Sequence, residues 1–123
     1  MTRYIRFAVR TDHQSQTKCT GVIGSLRILN EIGRLPIYYA DSVRELLDQI
    51  DRDMPCPPFS KNQWSAESVC WFKDSAKEWI SVFREVVAIL QDSDYDVVTL
   101  TTERPGMILY EDDIQVVAKS KHY

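Results

Sequence analysis

Residues 68–102 read SVCWFKDSAKEWISVFREVVAILQDSDYDVVTLTT, and this stretch decides the fold class. Its first five residues are a short apolar run, typical of a buried strand. Ser75 and Glu78 then have the spacing of a capping box, which predicts a helix start. The apolar residues that follow recur at helical spacing: Ala76, Trp79, Ile80, Phe83, Val86, Val87 and Leu90. Because residues 96–102 are β-branched and alternating, we expect a strand–helix–strand unit, and a β-α-β crossover if its strands are parallel in one sheet.

The preceding half of the chain predicts one strand and two helices. Residues 4–10 alternate between apolar and polar side chains, as a half-buried strand does. Residues 21–32 carry apolar residues at helical spacing, Ile32 among them, and Gly33 stands where a C-terminal cap belongs. Ser42 and Glu45 form another capping box. It precedes one apolar stripe, made of Val43, Leu46, Leu47 and Ile50.

The end of the chain predicts two further strands, at residues 107–110 and 114–118, with Pro105 and Gly106 placed for a type II turn before them. The element order is then β-α-α-β-α-β-β-β. We predict an α+β two-layer sandwich, with a mixed sheet of about five strands and three helices on one face. Residues 55–58 read Pro-Cys-Pro-Pro and predict a stiff internal connector, so we treat residues 1–123 as a single domain.

The composition excludes several classes of protein. The 123 residues contain 44% hydrophobic and 27% charged residues with a net charge of -3, which excludes a disordered chain and disfavours a nucleic-acid binder. No apolar segment is long enough to span a bilayer, and no secretory signal opens the chain. Three cysteines without CxxC spacing favour reduced thiols in the cytoplasm. His13 and His122 are isolated, so we expect no metal site, and nothing predicts a cofactor or a catalytic residue.

The predicted crossover suggests one ligand site. It places the N-terminus of the helix at the carboxyl ends of both strands, the edge where open sheets bind ligands. Lys73 and Ser75 leave the first strand there, and Arg104 leaves the second. Two cations beside free backbone N–H groups could hold a phosphate or carboxylate. The alternative is structural: Ser75 caps the helix, while Lys73 and Arg104 pair with the adjacent Asp74 and Glu103.

The sheet face opposite the helices is a second candidate. If the helices cover Ile5, Phe7, Val98 and Leu100, an aromatic and arginine-bearing surface remains. Its predicted residues are Tyr4, Arg6, Arg10, Trp71, Thr99 and Thr101, and Tyr38, Tyr39 and Trp64 could extend it. Such a surface can bind a partner protein or a second copy of the chain. Stacking on single-stranded bases is less favoured because the chain is acidic.

Three motifs carry a resemblance to a known family. They are W-F-K-x-S-A at residues 71–76, R-P-G-x-I-x-Y-E-D at residues 104–112 and Q-V-V-A at residues 115–118. The C-terminal half resembles a family of small uncharacterised bacterial proteins that share them. No activity is established for that family, so the resemblance implies no catalytic residue. We therefore expect a non-catalytic protein-interaction module, such as a regulatory or inhibitory protein; the alternative is an anion-binding protein or enzyme using Lys73 and Arg104.

Overall fold

The computed structural model describes residues 2–10, 21–54 and 68–119. These residues form five strands, three α-helices and one 3₁₀ helix. In chain order the elements are β1 (Tyr4–Arg10), α1 (Gly21–Glu31), the 3₁₀ helix η1 (Ile37–Tyr39), α2 (Ala40–Asp53), β2 (Ser68–Lys73), α3 (Lys77–Asp92), β3 (Asp96–Thr102), β4 (Met107–Glu111) and β5 (Gln115–Lys119). The predicted α+β class and element order are confirmed. The connector at residues 55–58, Trp64, His13, His122, Cys19 and Cys56 lie outside the described residues.

The five strands form one sheet in the order β3-β1-β2-β5-β4. Every pair of neighbours is antiparallel, so the prediction of a mixed sheet was wrong. The reason is that β1 lies between β2 and β3: Tyr4 is opposite Lys73 on one side and opposite Thr102 on the other. Both β2 and β3 therefore run in one direction and end at one edge of the sheet, but they are not hydrogen-bonded to each other.

The connection from β3 to β4 shows that the sheet is strongly coiled. Only residues 103–106 separate the two strands, which occupy opposite edges of the sheet. In a flat sheet, four strand spacings and a register offset of about five residues would separate Thr102 from Met107 by about 25 Å. Five consecutive Cα–Cα steps reach at most about 19 Å. The twist that all sheets have must therefore bring the end of β3 at Thr102 toward the start of β4 at Met107.

The core lies between the helices and the β3-β1-β2 half of the sheet. Phe83 of α3 stacks on Phe7 of β1 with ring centroids 6.5 Å apart, and it meets Phe72 of β2 edge-on at 4.7 Å. Leu26 of α1 and Leu90 of α3 are fully buried in the same cluster. Helix α2 packs on α1 and α3 through the predicted stripe Val43, Leu46, Leu47 and Ile50, all of which are buried. The residues buried between the helices and those buried between helices and sheet thus belong to one core.

Helix α1 ends as the sequence predicts. Gly33 has φ +69°, the left-handed conformation that glycine adopts without steric cost. The Arg34 N–H donates to the Leu29 carbonyl at 3.1 Å, and the Gly33 N–H donates to the Asn30 carbonyl at 3.3 Å. These two bonds define a Schellman motif, which satisfies carbonyls that the helix leaves free.

Both predicted capping boxes were wrong. Helix α2 begins at Ala40, so Ser42 lies inside it, and helix α3 begins at Lys77 after the N-cap residue Ala76. Neither N-cap residue makes a side-chain cap hydrogen bond. The reason for α2 is that η1 leads directly into it, so Tyr39 already has a helical conformation and no extended cap residue is needed.

Candidate functional site

The predicted anion site lies at the edge where β2 and β3 end. Because Lys73 and Thr102 flank Tyr4 on either side, their Cα atoms are about two strand spacings, roughly 10 Å, apart. Ser75 follows Lys73 in an exposed turn, and Arg104 follows Thr102. The structure therefore brings the three predicted residues to the same edge of the sheet.

Lys73 already has an anionic partner. Its Nζ lies 2.6 Å from Oε2 of Glu111 at the end of β4, and its side chain is only 19% exposed. The structural alternative, in which Lys73 is ion-paired, thus holds with Glu111 in place of Asp74, and the Asp74 carboxylate accepts the Arg3 backbone N–H at 3.3 Å. The strand register explains this pairing, since Lys73 and Glu111 lie on the same face of the sheet, separated by β5. An incoming anion would have to compete with Glu111 for the ammonium group.

Ser75 and Arg104 make no clamp in this structure. Ser75 precedes the N-cap residue Ala76 and makes no cap hydrogen bond to α3, contrary to the prediction. The Arg104 backbone N–H donates to Oγ1 of Thr102 at 3.0 Å, and the residue is exposed. Binding of an anion by Lys73, Ser75 and Arg104 remains a prediction.

The three motifs that carry the family resemblance meet around the turn between β4 and β5. Asp112 organises this turn: its Oδ1 accepts the backbone N–H groups of Ile114 and Gln115, each at 2.9 Å. Its Oδ2 accepts the Tyr110 hydroxyl at 3.0 Å and the Gln115 side-chain amide at 3.3 Å. Gln115 is 2% exposed, so Asp112 satisfies a buried polar side chain. These hydrogen bonds join residues of the motifs to one another, as expected of residues that stabilise the turn.

Of the six residues predicted for the interaction face, four lie opposite the helices and two lie on the helix side, so the placement of those two was wrong; partner binding by this face stays a prediction. Directly opposite residues of antiparallel strands point to the same side of the sheet. By that rule Tyr4, Arg6, Arg10 and Trp71 lie opposite the helices, on what we call the second face. Thr99 is opposite Phe7, and Thr101 is opposite Ile5, so both lie on the helix side. Val98 and Leu100 lie on the second face instead.

The cause of this error is the composition of β3. Val97 and Val98 are adjacent apolar residues on opposite sides of the strand, so alternation alone does not show which one is inward. The contact with α3 selects Val97, which is 9% exposed, whereas Leu100 is 40% exposed. Thr99 and Thr101 are exposed because β3 is an edge strand.

The second face is partly closed. Val116 and Ala118 of β5 lie on it, opposite Trp71 and Val69, and both are fully buried. The indole Nε1 of Trp71 is also buried, and it has no hydrogen-bond partner within residues 2–10, 21–54 and 68–119. Around β5 the second face is therefore interior, and only its part at β1, β3 and β4 is available to a partner.

The most exposed large apolar side chains among the described residues lie elsewhere, around the end of α1 and in η1. Ile28 is 55% exposed, Ile32 56%, Ile37 91% and Tyr38 73%. We call these four residues the isoleucine–tyrosine patch. Ile28 and Ile32 are one helical turn apart at the end of α1, and the Schellman turn at Gly33 leads the chain to Ile37 and Tyr38 in η1. The sequence assigned Ile32 to the buried stripe of α1, and that assignment was wrong.

Tyr39, next to the patch, attaches η1 to the end of α3. Its hydroxyl donates a hydrogen bond to the Asp92 carboxylate, and its ring lies 4.7 Å from that of Tyr38. The hydrogen bond to Asp92, followed by desolvation and the Asp92 charge, raises the pKa of Tyr39 from 10.0 to about 12. This contact holds the segment that carries Ile37 and Tyr38 against the helical layer.

We expect the Tyr39 hydroxyl to ionise late, near pH 12. Because its folded-state pKa lies above the unfolded value, the bond to Asp92 stabilises the fold fully below pH 10, and this contribution disappears between pH 10 and about 12. Ultraviolet difference titration of the wild type and of Tyr39→Phe tests this. The variant should lack the absorbance change near pH 12; if its titration curve is unchanged there, the assignment to Tyr39 is contradicted.

The described part of the chain holds neither a metal-binding cluster of side chains nor a membrane-spanning helix. Residues 2–10, 21–54 and 68–119 contain no cluster of three or more histidine, cysteine or acidic residues able to hold a metal ion. None of the helices in those ranges has the length and apolar character needed to cross a membrane. Cys70 of β2 is partly buried.

Comparison with known proteins gave no relative: no family model, curated protein or solved structure matches the chain. The resemblance to small bacterial proteins therefore stays a prediction. The isoleucine–tyrosine patch was visible in the sequence only as a weak signal, the apolar run that follows Pro36 in a short connector.

Proposed function

We propose that this chain is a non-catalytic protein-interaction module that binds a protein partner in the cytoplasm, as a regulatory or inhibitory subunit does. The observation that carries the proposal is the isoleucine–tyrosine patch. Three isoleucines and a tyrosine, each more than half exposed, lie within eleven residues of sequence, from Ile28 to Tyr38. Isolated exposed apolar residues are common, but a group of this size marks a binding surface.

The size of the patch supports a protein partner. Taking about 180–220 Å² for each fully exposed residue, the four expose on the order of 500 Å², within the range of functional surface patches. Polar residues border it, including Asn30, Glu31 and Arg34, all of them exposed. An apolar centre with a polar rim is the usual anatomy of a protein interface. The expected partner surface is an apolar groove that accepts Ile37 and Tyr38.

The other candidate surfaces support the same reading. The Lys73 ammonium group is occupied by Glu111, so the anion-binding alternative has less support than it had from sequence. The network around Asp112 is satisfied internally, which leaves no free acid–base pair there. The odd number of cysteines, three, is consistent with a reducing compartment.

The proposal is tested by affinity capture from a lysate of the native host, with paired variants. Ile32→Ser/Ile37→Ser removes the centre of the patch. Met107→Ser/Ile108→Ser is the matched control, because those residues are 48% and 44% exposed on a different surface. We expect a protein retained by the wild type and by the control but lost from the patch variant.

Titration calorimetry with the purified partner should then show an affinity at least about tenfold weaker for the patch variant, as expected for loss of anchor side chains. Equal binding by all three proteins, or no retained protein, would contradict the proposal. Circular dichroism of each variant establishes that it is folded.

A further inference from the structure

Within residues 2–10, 21–54 and 68–119, no strand pairs with the outer edge of β3. Among the described residues β3 pairs only with β1, through seven consecutive residue pairs without a bulge. Its sequence, Asp-Val-Val-Thr-Leu-Thr-Thr, contains no proline and no lysine. Four of its seven residues are exposed: Asp96, Thr99, Leu100 and Thr101. An edge strand of this length and composition offers a row of unpaired backbone groups to another strand.

The opposite edge of the sheet is protected. Strand β4 has only five residues, and a register shift between Ile108 and Tyr110 interrupts its pairing with β5. Bulges and short edge strands both hinder edge-to-edge pairing. The contrast singles out β3 as the edge that can accept a further strand.

We propose that β3 pairs antiparallel with β3 of a second copy of this chain, about a two-fold axis at Thr99, to form a continuous ten-stranded sheet. This surface is separate from the isoleucine–tyrosine patch. The proposal therefore goes beyond the proposed function and does not depend on it.

The side chains of β3 are complementary to their own antiparallel copy. With Thr99 opposite Thr99 of the second copy, Val98 is opposite Leu100 on the second face, and Val97 is opposite Thr101 on the helix side. Thr–Thr and aliphatic cross-strand pairs both stabilise antiparallel sheets. All seven residues of the strand are paired in this register, and no residue faces a like charge.

The charges at the two ends of the strand also favour pairing with a second copy of the chain. Asp96 lies opposite Thr102 of the copy, which places Arg104 of the copy diagonal to it, within reach of a long side chain. Asp96 is held by Arg10 at 3.6 Å, and its side chain is 63% exposed, so it can accept a second cation. A two-fold axis creates this Asp96–Arg104 contact twice.

The test is the mass of the purified chain in solution. Light scattering and sedimentation equilibrium from micromolar to near-millimolar concentration should show twice the 14.3 kDa of one chain. Thr99→Lys and Thr99→Glu each put two like charges at the axis, which should weaken association by about tenfold or more. Mixing the two variants should restore it, because unlike charges then meet. Met107→Lys on the β4 edge is the control and should dimerise as the wild type does.

Two results would overturn the proposal: a wild-type chain that is monomeric over the whole concentration range, or Thr99→Lys and Thr99→Glu variants that dimerise as tightly as the wild type. Circular dichroism and thermal unfolding show that the variants fold. Partner capture by the patch is measured separately with Thr99→Lys, which should retain the partner. Failure of dimerisation and failure of partner binding are thus distinguishable.

Discussion

Replacing Phe83 with alanine should destabilise the fold by about 3–5 kcal/mol, the usual cost of removing a buried phenylalanine. Phe83 is 8% exposed and is the side chain through which α3 contacts both β1 and β2. Its truncation removes an edge-on contact with Phe72 and a stacked contact with Phe7, and it leaves a cavity where helix meets sheet. A domain with typical stability of 5–15 kcal/mol would lose a large share of it.

Chemical denaturation, followed by far-ultraviolet circular dichroism, measures the effect. Ile37→Ala is the matched control, because Ile37 is 91% exposed and its truncation should change the free energy of unfolding by less than about 0.5 kcal/mol. Phe83→Leu keeps most of the apolar volume and should fall between the two. Comparable losses from Phe83→Ala and Ile37→Ala would show that Phe83 is not the centre of the core.

The helices were predictable from the sequence because their burial repeats along the chain. In α2 the spacing of Val43, Leu46, Leu47 and Ile50 identified the buried face without knowledge of the partner. Gly33 likewise identified the end of α1, since the left-handed conformation at a helix C-terminus favours glycine. These are local features, set by residues within a turn or two of each other.

The sheet topology was not predictable in the same way. Residues 68–102 predicted two strands of one direction with a helix between them, and this is what the structure shows. That β1 inserts between those strands depends on pairings across about seventy residues, on which strand periodicity carries no information. The side of β3 that faces the helices was predicted wrongly for a related reason. Val97 and Val98 are equally apolar, and only the position of α3 distinguishes them.

The candidate sites show the same limit. Lys73 was correctly placed at the shared edge, but its partner Glu111 is contributed by a strand two positions away in the sheet. Ile32 fits the apolar spacing of α1, yet it follows Glu31, the last residue of the helix, and it is 56% exposed. Exposure of an apolar residue depends on where the neighbouring elements stop, so the isoleucine–tyrosine patch could be recognised only in the structure.

Replacing Asp112 with alanine should cost about 2–4 kcal/mol, a large effect for a partly exposed residue. The variant loses the oxygen that accepts two backbone N–H groups at the β4–β5 turn, and it loses a partner of the buried Gln115 side chain. Thermal unfolding measures it. Asp113→Ala changes the exposed neighbouring acid and should shift stability by less than about 0.5 kcal/mol. Equal melting temperatures for the two variants would show that the Asp112 hydrogen bonds are not needed.

Asp112→Asn separates the two halves of this network. Asparagine can keep an oxygen where Oδ1 accepts the N–H groups of Ile114 and Gln115, but it then presents an amide N–H₂ to the Tyr110 hydroxyl and the Gln115 amide. We expect a loss of about half that of Asp112→Ala, because at the Oδ2 position only the Gln115 amide then meets another donor, whereas the Tyr110 hydroxyl can rotate to accept. A loss as large as that of alanine would mean that the Oδ2 contacts carry the stability of the turn. A neutral result would assign it to the two backbone N–H groups alone.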